Sequence, residues 1–444
     1  MLRRFEHPVD FLTHVERYRL QERTRVEEAV RAILDAVRAR GDAALYELTL
    51  RFDGVDLRPD RGSAPAGLEV STAERDEGAA AVPPDLLEAL ERAARNIEDF
   101  HRPQVPRSWL ETRPDGSVLG QLVRPVDRVG IYVPGGSAPL YSCLLMTAIP
   151  ARVAGVREVY LATPPGPDGR LHPAMLAAAR LCGVDRIFRI GGAQAIAALA
   201  YGTETVPRVD LVVGPGNPYV TAAKRLVFGE VGIDMLAGPT ELLVIDDGSV
   251  PAAWLAADLL SQAEHPGGTV ILVTLDPARV DAVGAEIARQ AAGLPRRETI
   301  AASLERGSCA IAVPDLEVAA DLASTIAPEH LELAVADPWA LLPAIRHAGS
   351  IFLGPYTPEP VGDYIAGPSN VIPTGGAPRY TSPVNVETFI KRSAITAYSE
   401  RAFRENAPAA VRLAHGEGLP AHAASLEVRL EALAKGEVNG RGRP

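Results

Sequence analysis

Short β-branched runs that stop at glycine turns, each followed by a helical stretch, recur through the middle of this 444-residue chain. Residues 129–133 precede Pro134-Gly135-Gly136, residues 187–190 precede Gly191-Gly192, and residues 211–213 precede Gly214-Pro215-Gly216-Asn217. With a further run at 159–163, the repeat is roughly 25 to 30 residues, enough for a strand, a turn and a crossover helix. Units of that kind build a parallel sheet. A second set at 242–245, 269–274, 309–313 and 350–353 is again separated by helical stretches. The expected fold class is α/β, with two similar domains in tandem.

The flanks read differently. Residues 24–40 and 84–100 carry apolar positions at helical spacing, and 58–82, rich in Gly, Pro, Ala and charge, reads as a loop. Beyond about 380 helical pieces alternate with loops, as in an arm that packs on another surface, which points to a dimer interface. A hydrophobic content of 47% supports proper cores, and 444 residues are expected to form more than one domain. The net charge of −11 comes without a long basic run, so a small-molecule partner is expected rather than nucleic acid. No apolar run reaches membrane-spanning length and no cleavable leader opens the chain, so the expectation is a cytoplasmic protein with no membrane partner. Three widely spaced cysteines, Cys143, Cys182 and Cys309, form no CxxC pair and indicate neither a disulfide framework nor a thiolate zinc site. Cys143 follows a glycine-rich turn as a nucleophile would, but buried packing is the expectation.

Several short segments bear polar groups that invite chemistry. Ser261-Gln262-Ala263-Glu264-His265 ends a helix that opens at Pro251 and stops at Pro266-Gly267-Gly268. Gln262 and His265, three apart, share a helix face: either they cap the helix, or they form half of a metal site. In Ala327-Pro328-Glu329-His330 an acid and an imidazole adjoin; in extended chain they point to opposite sides, and only a bend pairs them for proton transfer. Asp363, in Val361-Gly362-Asp363-Tyr364, and His422, in Glu417-Gly418-Leu419-Pro420-Ala421-His422, complete a mixed amide, imidazole and carboxylate set suited to Zn²⁺ or Mn²⁺. The glycine turns lie where backbone N–H groups meet nucleotides, with Tyr132, Gln194 and Asn217 beside them. None of the turns is a GxGxxG fingerprint with an acid twenty positions on.

Taken in order, the runs IYVPGGSAPLYS, GGAQAIAALAYGT, GPGN, AGPTELLVIDD, SQAEH, APEHLEL, GPYTPEPVGDYIAGP and EGLPAH resemble the histidinol dehydrogenase family over nearly the whole chain. The resemblance implies two Rossmann-like domains: residues 24–130 with 238–379 as the first, carrying zinc, substrate and acid/base residues, and 131–237 as the second, contacting NAD. Residues 1–23 would be a helical segment and 380–444 an arm packed on the partner subunit of a homodimer. By the same resemblance Gln262, His265, Asp363 and His422 match the zinc ligands, and Tyr132, Gln194 and Asn217 the NAD contacts. Thr240, His330 and Glu417 match contacts to L-histidinol, which the zinc ligands also touch. Glu329 and His330 match the catalytic acid/base pair. The implied reaction is the four-electron oxidation of L-histidinol to L-histidine through L-histidinal, with Glu417 and His422 completing the neighbouring subunit's site.

The chain departs from the family's pattern at two places. Ser369-Asn370 stands where many members have Asn-His, and Pro266-Gly267-Gly268 follows His265 where an acidic residue is common. The first leaves open a paralogous dehydrogenase of another polar alcohol, such as a sulfonated propanediol. Glu417 favours histidinol, since a carboxylate suits a cationic substrate and repels a sulfonate. A non-catalytic NAD- or metal-binding protein on the same fold is the remaining alternative; the presence of both bases and all four ligands weighs against it.

Overall fold

The computed structural model of the protein describes residues 2–21, 26–59, 66–135 and 139–437. Residues 22–25 at the first expected boundary, 60–65 of the expected loop, Gly136 of the first glycine turn and 438–444 of the arm lie outside the described residues. The described chain divides into two compact units, Met1–Val105 with Pro125–Phe389, and Pro106–Arg124 with Ile390–Pro444.

The strands, in chain order, are β1 (Arg3–Phe5), β2 (Trp109–Thr112), β3 (Val118–Pro125), β4 (Arg128–Tyr132), β5 (Glu158–Thr163), β6 (Arg186–Arg189) and β7 (Leu211–Val213). They continue as β8 (Gly232–Ile233), β9 (Glu241–Asp246), β10 (Thr269–Thr274), β11 (Cys309–Ala312), β12 (His330–Ala334), β13 (Ser350–Leu353) and β14 (Ile390–Ala397). The first unit holds two sheets, in the orders β1-β11-β10-β9-β12-β13 and β6-β5-β4-β7-β8, and every pairing in both is parallel. All eight strands expected from the sequence are present, and the α/β class with parallel sheets holds. The second unit contains the sheet β14-β3-β2, in which β2 and β3 pair antiparallel, and two helices, Glu400–Gly416 and Pro420–Lys435. Strand β14 falls where only helices and loops were expected.

Three other differences have simple causes. β1 adds a parallel edge strand to the six-stranded sheet beside β11, ahead of the expected helix, here Pro8–Gln21. The helices Glu27–Arg40 and Asp42–Asp53 pack on the five-stranded sheet, whereas the sequence reading grouped them with the six-stranded one. Their buried Val30, Leu34, Val37, Leu45 and Leu48 join Tyr132, Tyr160 and Phe188 in a single core. Within 58–82 a helix, Thr72–Ala80, forms where a loop was expected; Ser71 caps it by accepting the Glu74 N–H.

The direction in which crossover helices run determines where the chemistry sits. A helix linking two parallel strands runs back against them, so its C-terminus returns to the amino edge of the sheet. The helix Ala252–Ala263, between β9 and β10, therefore delivers Gln262 and His265 to that edge. It packs through Leu255, Leu259 and Leu260 on the sheet face formed by Leu242, Val244, Val270 and Leu272. The opposite face, with Leu243, Ile245, Leu331 and Leu333, is covered by Phe11, Val15 and the helix Leu316–Ile326. Among the described residues no helix is long and apolar enough to cross a membrane.

Candidate active site

The amino edge of the six-stranded sheet gathers an acid, an imidazole and a hydroxyl. Helix Leu316–Ile326 ends at Ala327, whose φ of 52° makes it the one non-glycine residue in the left-handed region among those described. That conformation costs an L-residue roughly 1–2 kcal/mol, and it turns the chain sharply into Pro328-Glu329-His330. The bend that lets an acid and an adjacent imidazole pair is therefore present. Glu329 and His330 are both buried, at 6% and 3% exposure, so neither is the solvated side chain of an ordinary strand start. Glu329 Oε2 accepts from Thr240 Oγ1 at 2.6 Å and from the Glu241 N–H at 2.8 Å, and lies 3.6 Å from His330 Nδ1. Burial pushes the Glu329 carboxyl well above the usual range despite the two hydrogen bonds that oppose the shift.

His330 opens β12. Its Nδ1 lies 3.1 Å from the Glu241 carbonyl oxygen, which can only accept, so the network assigns the proton to Nδ1. Nε2 is buried and has no hydrogen-bond partner. Burial lowers the imidazole pKa, so the ring is a neutral base with its lone pair free at Nε2. The bend is held by Arg19, which donates to both Glu241 carboxylate oxygens at 2.7 Å and to the Ile326 carbonyl at 2.9 Å.

Strand alternation places Glu332 on the same face as His330, the face that the helix Ala252–Ala263 covers. Glu332 accepts the Glu359 N–H at 2.6 Å, and Ser261 Oγ donates to Glu359 at 3.2 Å. The Glu359 and Asp363 carboxyls hydrogen-bond to each other across one turn of the helix Glu359–Tyr364. Burial first, and then the Asp363 charge, raises Glu359 to about 8, while burial raises Asp363 to about 6. Asp258 is pushed up to about 7 by burial and then by Glu359, and Glu332 is raised well above its ordinary value by burial and then by Asp258. Four carboxyls, two buried and two half-buried, that feel one another's charge cannot all ionise without a counter-charge.

Ligand atoms of His330, Glu359 and Asp363 lie within 4.8 Å of one another, a grouping able to hold a metal ion. Only Asp363 among these is an expected ligand. Gln262 is buried beside them; its amide nitrogen donates to Thr240 Oγ1, and its Oε1 is buried without a partner. His265 is exposed at the helix exit, close enough to His330 for its charge to be felt there, and desolvation followed by the Arg296 charge lowers its own pKa. The orphaned amide oxygen and the crowded acids fit a divalent cation, while the unpartnered His330 Nε2 stays available as a base beside it. Glu417 and His422 belong to the second unit, between and at the start of its two helices, and both are exposed there. Glu359 was missed in the sequence. Its signal was the Glu359/Asp363 spacing of four, a repulsive pair on a helix face unless something positive joins it.

Asn370 stands beside this cluster. Its Nδ2 donates to the Asp363 carbonyl at 3.3 Å, and its Oδ1 is buried without a partner. Cys143 adjoins too, but burial and then the Asp363 charge push its thiol up to about 12, too high for a nucleophile at neutral pH.

The three glycine turns lie at the carboxyl edge of the five-stranded sheet. Tyr132, buried at the end of β4, accepts the Gly192 N–H on its hydroxyl at 3.0 Å, and burial raises it to about 12. Gln194 is buried in the first turn of helix Gly192–Tyr201. Asn217 is exposed and caps helix Pro218–Val227 by accepting from the Tyr219 and Val220 N–H groups. Gly214 has φ 115°, and a Cβ there would lie 2.1 Å from the Tyr132 carbonyl oxygen, so only glycine fits. Lys224, one of three lysines, is buried; it donates to the Gly214 carbonyl at 2.9 Å and pairs with Asp234, which in turn accepts the Gly214 N–H.

The molecule thus joins two parallel α/β sheets, with a buried carboxyl beside an imidazole at the edge of one and glycine turns at the edge of the other, an α/β architecture of the enzyme type. The family model for histidinol dehydrogenase matches residues 16–430. The chain is 62% identical to the histidinol dehydrogenase of Symbiobacterium thermophilum, covering 98% of each, and 52% identical to that of Moorella thermoacetica, covering 93% of this chain and 96% of the relative. The crystal structure of histidinol dehydrogenase from Elizabethkingia anophelis matches with a TM-score of 0.89 at 34% identity, covering 98% of this chain and 99% of that one. The chain belongs to the histidinol dehydrogenase family and is an NAD-dependent oxidoreductase acting on CH–OH.

The carboxyl cluster gives a pH dependence. Asp258 has a folded pKa raised from 3.8 to about 7, so the native state holds the extra proton and stability falls as pH rises through that window. In metal-free protein, Asp258→Asn is expected to reduce the loss of stability between about pH 4 and 7. Urea unfolding at stepped pH checks this; an unchanged slope contradicts it.

Proposed function

We propose that the protein oxidises L-histidinol to L-histidine through L-histidinal, in two NAD-dependent steps at a zinc site completed by a second copy of the chain. The observation that carries the reading is the pair of orphaned buried atoms, Gln262 Oε1 and His330 Nε2, beside an acid pair short of positive charge. Gln262, His265 and Asp363 would hold zinc together with His422 of the partner subunit. When bound, NAD accepts the hydrides and zinc supplies the positive charge that fixes the substrate's amine and imidazole.

The chain's own groups supply orientation and proton transfer. His330 takes the carbinol hydroxyl proton at Nε2, because Nδ1 is engaged with the Glu241 carbonyl. Glu329 activates the water that adds to the aldehyde: desolvation makes its carboxylate a stronger base than an exposed one, and Thr240 Oγ1 with the Glu241 N–H fixes its direction. Thr240 also anchors the Gln262 amide nitrogen, leaving Oε1 for the ion. Glu359 aligns Asp363 through the hydrogen bond they share. Tyr132, Gln194 and Asn217 would contact NAD at the glycine turns. Glu417 of the partner subunit would face the cationic substrate.

Exposed Leu413, Leu419 and Val428 on the second unit support a homodimer in which this unit covers a partner. The same proposal places the enzyme in the cytoplasm, with neither membrane nor nucleic acid as a partner.

A steady-state assay with L-histidinol and NAD⁺ is expected to give two NADH per histidine formed. One NADH with accumulating aldehyde, or turnover of another alcohol alone, would contradict the histidinol reading. His422→Ala is expected to lower bound zinc, measured by elemental analysis, and to abolish turnover. Mixed with a Glu329→Gln, His330→Ala double variant, it should regain part of the activity in heterodimers; no recovery would mean that the arm serves its own subunit.

A further inference from the structure

In doubly wound sheets an acidic residue at the carboxyl end of the second strand hydrogen-bonds the adenosine ribose of a dinucleotide. The corresponding strand here is β5, next to β4 and on the side away from β7. It ends in Thr163-Pro164-Pro165-Gly166, with no acid. A carboxyl reaches the place from outside the sheet. Asp53 is the last residue of helix Asp42–Asp53, where Gly54 at φ 72° turns the chain away. A Cβ on Gly191 would sit 2.7 Å from the Pro164 Cβ and 3.4 Å from Asp53 Oδ1, so the carboxyl lies at the junction of the β5 and β6 turns. Its charge is also felt at Tyr132, at the end of β4.

Asp53 Oδ2 is buried and has no hydrogen-bond partner. Burial raises the carboxyl to about 6, so the protein keeps a desolvated acid there at a cost to its own stability. Polar groups left unsatisfied at the edge of a ligand site signal a partner that comes with the ligand. A carboxylate accepts two O–H groups side by side, the pattern a ribose diol offers, and it repels a phosphate ester on the same oxygen. We propose that Asp53 accepts the adenosine ribose hydroxyls of NAD and rejects the 2′-phosphate of NADP. The inference rests on NAD lying at the glycine turns.

Calorimetric titration of the zinc-loaded enzyme with NAD⁺ and with NADP⁺ tests it. Asp53→Ala is expected to weaken NAD⁺ binding about tenfold or more, and to leave NADP⁺ binding unchanged or stronger, so that the preference for NAD⁺ shrinks. The same variant is expected to unfold at a urea concentration no lower than the parent, because an unpartnered buried carboxyl has been removed; a structural role would lower it. Unchanged NAD⁺ affinity, equal weakening of both dinucleotides, or a fall in stability matching the fall in affinity overturns the assignment. Gln194→Ala serves as the control for placement. If it weakens NAD⁺ while Asp53→Ala does not, the assignment of Asp53 fails alone; if neither does, the placement of NAD at these turns fails with it.

Discussion

Everything at the candidate site depends on where one buried carboxylate is tied. Glu329 receives the hydroxyl of Thr240 and the N–H of Glu241, and those bonds lock the segment after Ala327 onto the amino edge of β9. Arg19 closes the arrangement from behind by joining the Glu241 side chain to the carbonyl at the end of the preceding helix. With the bend held in this way, His330 can spend Nδ1 on a backbone carbonyl and leave Nε2 free. The same hydroxyl orients the amide of Gln262. A local contact between a loop and a strand end thus sets base, acid and prospective metal ligand together.

The two sheets contribute opposite edges. Crossover helices deliver side chains to the amino edge of the six-stranded sheet, where strand N–H groups and helix C-termini meet, and carboxylates with imidazoles collect there. At the carboxyl edge of the five-stranded sheet, glycine turns and helix N-termini present N–H groups, the arrangement that suits phosphates and ribose. Burial dominates the electrostatics of the first site. Asp258, Glu332, Glu359 and Asp363 are all shifted upward, and a divalent ion would relieve the crowding that protons relieve in its absence.

Much of this was legible in the sequence because the signals were local. β-branched runs, three of them closed by glycine turns, located all eight expected strands, and Pro251 with Pro266-Gly267-Gly268 bounded the helix carrying Gln262 and His265. β12 was not among the expected strands: the polar and apolar residues of His330-Leu331-Glu332-Leu333 alternate as in a half-exposed strand, yet the polar ones are buried, with Glu332 beside Asp258 and Glu359. The attachment of residues 27–53 to the other sheet is likewise a long-range choice that periodicity does not encode. Asp53 escaped notice because the motif for ribose recognition looks for an acid downstream in the same unit, and here the acid comes from a helix far upstream.

The central claim is that the bend separates two jobs, proton removal at His330 Nε2 and water activation at Glu329. Single-turnover quenched flow, with enzyme in excess over L-histidinol and NAD⁺ saturating, tests it most directly. The account expects Glu329→Gln to form the first NADH and then stall with aldehyde bound, and His330→Ala to lose the first NADH as well. Equal loss of both NADH phases in Glu329→Gln would contradict it.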